Sequence, residues 1–66
     1  MQITLNGEKR EFGEAQTIGE LVQTLQLSDQ RIAVELNKEI VRKKDWETTA
    51  LNDADKIEIV HFVGGG

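Results

Sequence analysis

Three consecutive glycines, Gly64, Gly65 and Gly66, end the chain and are half of its six glycines. Glycine has no Cβ, so such a tail can extend or turn freely and can enter a channel too narrow for any side chain. The reactive group of this tail is the main-chain carboxylate of Gly66. A carboxylate is a poor electrophile until an enzyme activates it, most simply as an acyl phosphate or acyl adenylate formed from ATP. The tail therefore predicts a carrier whose final carbonyl accepts a nucleophile such as sulfide, a persulfide or an amine.

A glycine run is also typical of a frayed terminus or a cloning remnant. Three features favour the functional interpretation over that alternative. The glycines directly follow the longest predicted strand, that strand presents Val60 and Phe62 outward, and the rest of the sequence shows no pattern of residues that predicts catalysis.

The side chains that could do chemistry are few and scattered. Ser28 and His61 are the only serine and the only histidine, and no nucleophile-elbow pattern surrounds the serine. We expect His61 to be a partly packed strand residue rather than a metal ligand, since no ligand spacing is present. Asp53 and Asp55 lie in a predicted polar turn. We interpret them as solvent-exposed loop residues rather than as an acid–base pair. The sequence therefore predicts a protein that is not an enzyme and binds neither a metal nor a cofactor of its own.

Composition narrows the classes of partner. Twelve acidic residues against eight basic ones give a net charge of −4, which disfavours binding to a phosphate backbone and favours a basic protein partner. No apolar run is long enough to cross a membrane, and the first residues lack the pattern of a signal peptide. Together with the absence of cysteine, these observations predict a cytoplasmic protein.

The elements that must position the tail begin with a hairpin. Met1, Ile3 and Leu5 alternate with polar residues, which predicts a strand with one buried face. Asn6-Gly7 is a strong signal for a two-residue turn. A charged second strand is expected over residues 8–12, at the edge of a sheet.

One helix follows the hairpin. Thr17 and Glu20 form a capping-box pattern at its start. Apolar residues at helical spacing form a single stripe, comprising Ile18, Leu21, Val22 and Leu25. We expect the helix to run from Ile18 to Gln26.

The second half of the chain predicts strands over residues 31–36, 40–41 and 56–63. An irregular or single-turn segment is expected over residues 43–47, with Trp46 partly buried, and a turn over residues 52–55. The predicted fold is α+β, a mixed sheet of four or five strands wrapped around one helix. Residues 1–63 form one domain in this prediction, and residues 64–66 a flexible tail.

The last strand presents two different faces. Ile57 and Ile59 share one face, and Val60 and Phe62 share the other, since side chains alternate along a strand. If the isoleucines are buried, Val60 and Phe62 point outward. This exposed pair, together with Val63 beside the tail, forms either a docking surface for a partner or a patch covered by a neighbouring loop.

Patterns over the whole chain resemble those of a known family. The element order with its terminal glycines resembles the ubiquitin-like β-grasp fold. The stretches "MQITLNGE", "VELNKEIVRKKDWE" and "DADKIEIVHFVGGG" resemble more closely the ThiS family of sulfur carriers in thiamin biosynthesis. This resemblance extends over the entire chain.

The resemblance implies a function and partners. An E1-like adenylyltransferase, ThiF, would use ATP and magnesium to adenylate the Gly66 carboxylate, while Gly64 and Gly65 thread its channel. A cysteine desulfurase persulfide would supply sulfur to give a Gly66 thiocarboxylate. Thiazole synthase, ThiG, would incorporate that sulfur into the thiazole ring of thiamin.

Two other interpretations remain open from the sequence. The small subunit of molybdopterin synthase shares the fold and the tail, although it is usually longer. A ubiquitin-like interaction module with an inert tail would have the same body without the chemistry.

Overall fold

The computed structural model describes residues 1–13, 17–27 and 31–62 of the chain. Within these residues the strands form one sheet in the order β2-β1-β5-β3-β4, with β1 parallel to β5 and the other neighbours antiparallel. The predicted α+β architecture with a mixed sheet is confirmed. The elements along the chain are β1 (Gln2–Leu5), β2 (Glu8–Glu11), α1 (Ile18–Thr24), β3 (Ile32–Leu36), β4 (Glu39–Val41), a 3₁₀ helix at Lys43–Asp45, and β5 (Lys56–His61).

The first hairpin forms as the sequence predicts. Asn6 and Gly7 adopt φ angles of 49° and 84°, the left-handed conformations that a two-residue turn between antiparallel strands requires. All four residues of β2 are exposed, and the strand lies at the edge of the sheet. The Met1 ammonium donates to the Glu11 carboxylate at 2.6 Å, and this hydrogen bond raises the pKa of the ammonium above its ordinary value.

The start of α1 is saturated with hydrogen bonds. Thr17 is the N-cap, and its hydroxyl accepts from the Glu20 N–H at 3.2 Å, as the capping pattern predicts. The Ile18 N–H donates to the Thr49 carbonyl at 3.0 Å, and the Gly19 N–H donates to the Trp46 carbonyl at 2.9 Å. These bonds attach the helix start to the segment before β5 and leave none of these N–H groups for a ligand.

The helix ends at Thr24, two residues earlier than predicted. Gln26 adopts a left-handed φ of 57°, and its N–H donates to the Gln23 carbonyl. The Leu27 N–H donates to the Val22 carbonyl, which completes a Schellman motif. Glycine normally marks this position, so a glutamine there carries no signal in the sequence.

One apolar cluster fills the space between α1 and the sheet. Its buried members come from α1, from the inner faces of β1, β3 and β5, and from the loops: Ile3, Leu5, Phe12, Ile18, Leu21, Val22, Ile32, Val34, Trp46, Leu51, Ile57 and Ile59. Burying each side chain of this size stabilises the fold by about 1.5–3 kcal/mol before entropic losses. Among the described residues no helix is long and apolar enough to cross a membrane.

The irregular segment before β5 packs more tightly than predicted. Trp46 is 5% exposed rather than partly buried, and its indole N–H donates to the Val41 carbonyl at 2.9 Å. A buried indole needs such a partner, and the end of β4 supplies it. The segment contains a 3₁₀ turn at Lys43–Asp45, which agrees with the single turn predicted over residues 43–47.

Four strand boundaries differ by one or two residues from the prediction. β2 ends at Glu11 instead of residue 12, and β4 begins at Glu39 instead of residue 40. β3 begins at Ile32 because Arg31 has a left-handed φ of 63°, which no strand residue adopts. β5 ends at His61, and Phe62 is joined to the sheet by its N–H, which donates to the Arg31 carbonyl at 2.9 Å. Val63, the predicted last strand residue, lies outside the described residues.

On both sides of β5, asparagine side chains add hydrogen bonds to its backbone beyond those made by β1 and β3. The Asn6 side chain donates to the Ile59 carbonyl at 3.2 Å and accepts from the Ile59 N–H at 2.8 Å, beyond the end of β1. The Asn37 side chain accepts from the Lys56 N–H at 3.0 Å on the side of β3. Both asparagines have positive φ, so the same residue type forms the turn and hydrogen-bonds to the last strand. We call the two hydrogen bonds between the Asn6 side chain and the Ile59 backbone the Asn6 clamp.

We predict that Asn6→Gly destabilises the domain although glycine suits its φ angle. The substitution leaves the Ile59 N–H and carbonyl without their side-chain partners, and the expected loss is about 1–2 kcal/mol of the free energy of unfolding. Urea denaturation monitored by circular dichroism measures it. Lys38→Gly is the matched control, because Lys38 also has positive φ (73°) but belongs to no such clamp. An equal effect of the two substitutions would contradict the clamp.

Candidate functional site

β5 lies at the centre of the sheet and leads into the tail. Residues 32–36 of β3 pair with it along one side, and residues 4–5 of β1 along the other. The glycine tail therefore starts from one of the best-anchored strands of the domain. The predicted site residues Val63, Gly64, Gly65 and Gly66 lie outside the described residues, so their assigned roles stay predictions.

The predicted alternation of β5 is confirmed. Ile57 and Ile59 are buried against the core, whereas Val60 is 56% exposed and Phe62 is 51% exposed. No loop of the described residues covers these two side chains, which decides against the covered alternative. Their use by a partner stays a prediction.

A third exposed apolar residue lies on the same outer face of the sheet. Ile40 on β4 is 70% exposed, and the register places it opposite Glu35, whose other neighbour across the sheet is Glu58. Val60 lies opposite Ala33 on the same outer face. We call Ile40, Val60 and Phe62 the open-face patch. Sequence reasoning missed Ile40 because a three-residue strand is too short to show a period.

His61 lies on the other side of β5. It is exposed rather than partly packed, and with Ile59 it lines a groove on the helix side of the sheet. Ser28 lies outside the described residues, so its relation to His61 is not defined. Within residues 1–13, 17–27 and 31–62, no group of three His, Cys, Asp or Glu side chains could hold a metal ion.

The carboxylates of the last turn have structural partners. Asp53 accepts from the Gln2 N–H at 2.7 Å. Asp55 accepts from the Asn52 N–H at 2.7 Å and from the Asn37 side-chain amide at 3.1 Å. The two carboxylates therefore stabilise the turn before β5 through hydrogen bonds and do not form an acid–base pair.

The polar recess at the start of α1 has no reactive arrangement either. It is lined by Thr17, Gly19, Glu20, Gln23 and Glu47, with a volume of about 280 Å³. The N–H groups that a helix start could offer an anion are already bonded to Thr17, Trp46 and Thr49. The described side chains thus form no catalytic constellation, and the large apolar ones that are exposed lie on the outer face of the sheet.

Comparison with known proteins gives consistent matches over the chain. The sequence profile of the ThiS family matches residues 3–66. The sulfur carrier protein ThiS of Bacillus subtilis is 44% identical over 68 residues, covering 97% of this chain and 98% of that protein. The crystal structure of the thiamine biosynthesis protein ThiS from Geobacter metallireducens superposes with a TM-score of 0.85 at 30% identity, covering both chains completely. The predicted β-grasp fold is confirmed by this superposition.

Longer proteins also contain a region like this chain. Thiazole synthases of Paramagnetospirillum magneticum and Magnetococcus marinus are 44% and 38% identical over 66 residues. The chain spans 20% of the length of each of these relatives.

We predict opposite outcomes for aspartate on the two faces of β5. Phe62→Asp should remain folded, with a loss below about 1 kcal/mol, because the side chain already faces water. Ile57→Asp should unfold the domain, since an unpaired buried carboxylate costs more than a domain of this size can offset. Thermal melts and two-dimensional NMR spectra of both variants measure the difference. Unfolding of Phe62→Asp would show that the outer face is not free.

Proposed function

Because the chain belongs to the ThiS family, we propose that it is a sulfur carrier of thiamin biosynthesis with its cargo on the Gly66 carboxylate. The observation that carries this proposal is the match to Bacillus subtilis ThiS over almost the full length of both proteins. The same match favours the thiamin pathway over the molybdopterin alternative. The carrier is a co-substrate rather than an enzyme.

The proposed chemistry has three steps. A carboxylate oxygen of Gly66 attacks the α-phosphorus of ATP in an E1-like adenylyltransferase, and magnesium pyrophosphate leaves. The terminal sulfur of a persulfide, supplied by a cysteine desulfurase, attacks the acyl carbon and AMP leaves. A second thiol then attacks the resulting acyl disulfide, which releases the Gly66 thiocarboxylate and leaves a disulfide between the two thiols.

The body of the protein supports this chemistry by holding the start of the tail. The four residues after Phe62 span at most about 14 Å when extended. A tail this short reaches a partner's active site only if β5 stays fixed and the globule docks close to the entrance. The ladder on both sides of β5, with the Asn6 clamp, provides the fixed strand.

Thiazole synthase is the proposed acceptor of the sulfur. Two relatives named thiazole synthase each contain a region that resembles this whole chain. Fusion in one polypeptide keeps a carrier at high effective concentration beside the enzyme that uses its cargo. A thiocarboxylate suits this transfer because its sulfur is ionised and nucleophilic near neutral pH.

The mass of the intact chain tests the proposal. Incubation with the adenylyltransferase, ATP, magnesium and a sulfur source should add about 16 Da, the difference between sulfur and oxygen. We expect Gly66→Ala to lose most of this gain, because a methyl group must enter the channel. Gly13→Ala is the matched control, since a Cβ at Gly13 meets nothing within 4 Å. An unmodified wild-type chain, or a normal mass gain in Gly66→Ala, would contradict the proposed role of the tail.

A second prediction concerns docking through the open-face patch. Phe62→Asp places a charge in the apolar surface and should lower kcat/KM for adenylation at least about tenfold, with folding intact. Glu58→Gln, on the same face of β5, is a control for altered charge and should change kcat/KM by less than about twofold. Steady-state pyrophosphate release measures both. Equal rates for Phe62→Asp and the wild type would exclude the patch from the contact.

A further inference from the structure

A groove lies on the helix side of the sheet, opposite the open-face patch. Its volume is about 370 Å³. Leu5 and Ile59 of the sheet and Leu25 and Leu27 at the end of α1 supply its apolar lining, and Arg10 and His61 lie among the residues around it. We call this surface the helix-side groove. Because β5 alternates, Ile59 and His61 face the groove while Val60 and Phe62 face the other side.

The groove combines apolar surface with donors that the described residues do not use. The Arg10 guanidinium lies 5.5 Å from the centroid of the Phe12 ring, which orients it without neutralising it. Among the described residues, no carboxylate forms an ion pair or hydrogen bond with Arg10 or His61. Glu8 lies on the same face of β2, opposite Leu5, and is not among the described residues that line the groove.

The charge of the groove runs against that of the molecule. The chain carries a net charge of −4, yet Arg10, the charged side chain among the described residues that line the groove, is positive and lies beside leucine and isoleucine side chains. A carboxylate next to apolar side chains is the chemistry that complements both parts. A purely apolar or a basic segment would leave the guanidinium desolvated without a partner.

We propose that the helix-side groove binds a carboxylate-bearing apolar segment of thiazole synthase, and that this contact is separate from the open-face patch. The inference rests on the proposed function. It follows from the charge complementarity of the groove and from the thiazole synthases that contain a region like this chain. The carboxylate pairs with Arg10, while the apolar side chains of the segment cover Leu25 and Leu27.

Binding of purified thiazole synthase to variants of β2 tests the proposal. Arg10 lies opposite Ile3 and faces the groove, whereas its neighbour Lys9 lies opposite Thr4 and faces the other side of the sheet. Arg10→Glu and Lys9→Glu therefore change the net charge equally on opposite faces of one strand. By isothermal titration calorimetry, we expect Arg10→Glu to raise Kd at least about tenfold, and Lys9→Glu to change it less than about twofold.

Two further variants distinguish the loss of a binding contact from a loss of folding. Arg10→Lys should retain a Kd within about fivefold of the wild type, because the positive charge stays. His61→Glu, on a different strand, should weaken binding in the same direction as Arg10→Glu. Circular dichroism melts confirm that each variant is folded before its Kd is compared.

The outcomes separate this proposal from the proposed function. Equal Kd values for Arg10→Glu and the wild type, or equal losses for Arg10→Glu and Lys9→Glu, would overturn the groove contact. Binding of the adenylyltransferase rather than thiazole synthase through Arg10 would overturn the named occupant. The mass gain of about 16 Da is measured on the same preparations: its absence in the wild type refutes the carrier function itself, whereas its presence in Arg10→Glu leaves the carrier function standing.

Discussion

Ile57 and Ile59 can be buried together only if β5 lies within the sheet and turns one face toward α1. β1 and β3 enclose the strand from its two sides, and the core closes over the isoleucines. Since side chains alternate along a strand, this burial also fixes where the next residues point. Val60 and Phe62 must face outward, and His61 must face the helix side. The outward direction of Val60 and Phe62 and the position of His61 beside the helix-side groove are therefore consequences of one buried pair.

Features of the fold that depend on neighbouring residues can be predicted from the local sequence. Asn6-Gly7 specifies its turn because both residues tolerate positive φ. Thr17 specifies the helix start through its hydroxyl. The alternation of Ile57 and Ile59 specifies the inner face of β5, and with it the outward direction of Val60 and Phe62.

Features that depend on distant contacts were not predictable in the same way. The Asn6 clamp joins residues separated by 53 positions in the sequence, so no local pattern predicts it. Trp46 sits in an irregular segment without a period, and its depth follows from the Val41 carbonyl that accepts its N–H. The end of α1 carries no glycine signal. The helix-side groove needs β1, β2, α1 and β5 to be assembled before Arg10 and His61 share a surface.

A domain of this size has a small free energy of unfolding, because it buries only about 60% of the surface of its unfolded chain. Three exposed apolar side chains on one sheet face are therefore a burden on solubility, which the net charge of −4 offsets. The proposed carrier must also leave one partner before it meets the next, since both need the same carboxylate. The proposed contacts on opposite faces of β5 would allow each partner to be recognised separately. The shared tail keeps their engagement mutually exclusive, so neither surface needs to bind tightly on its own.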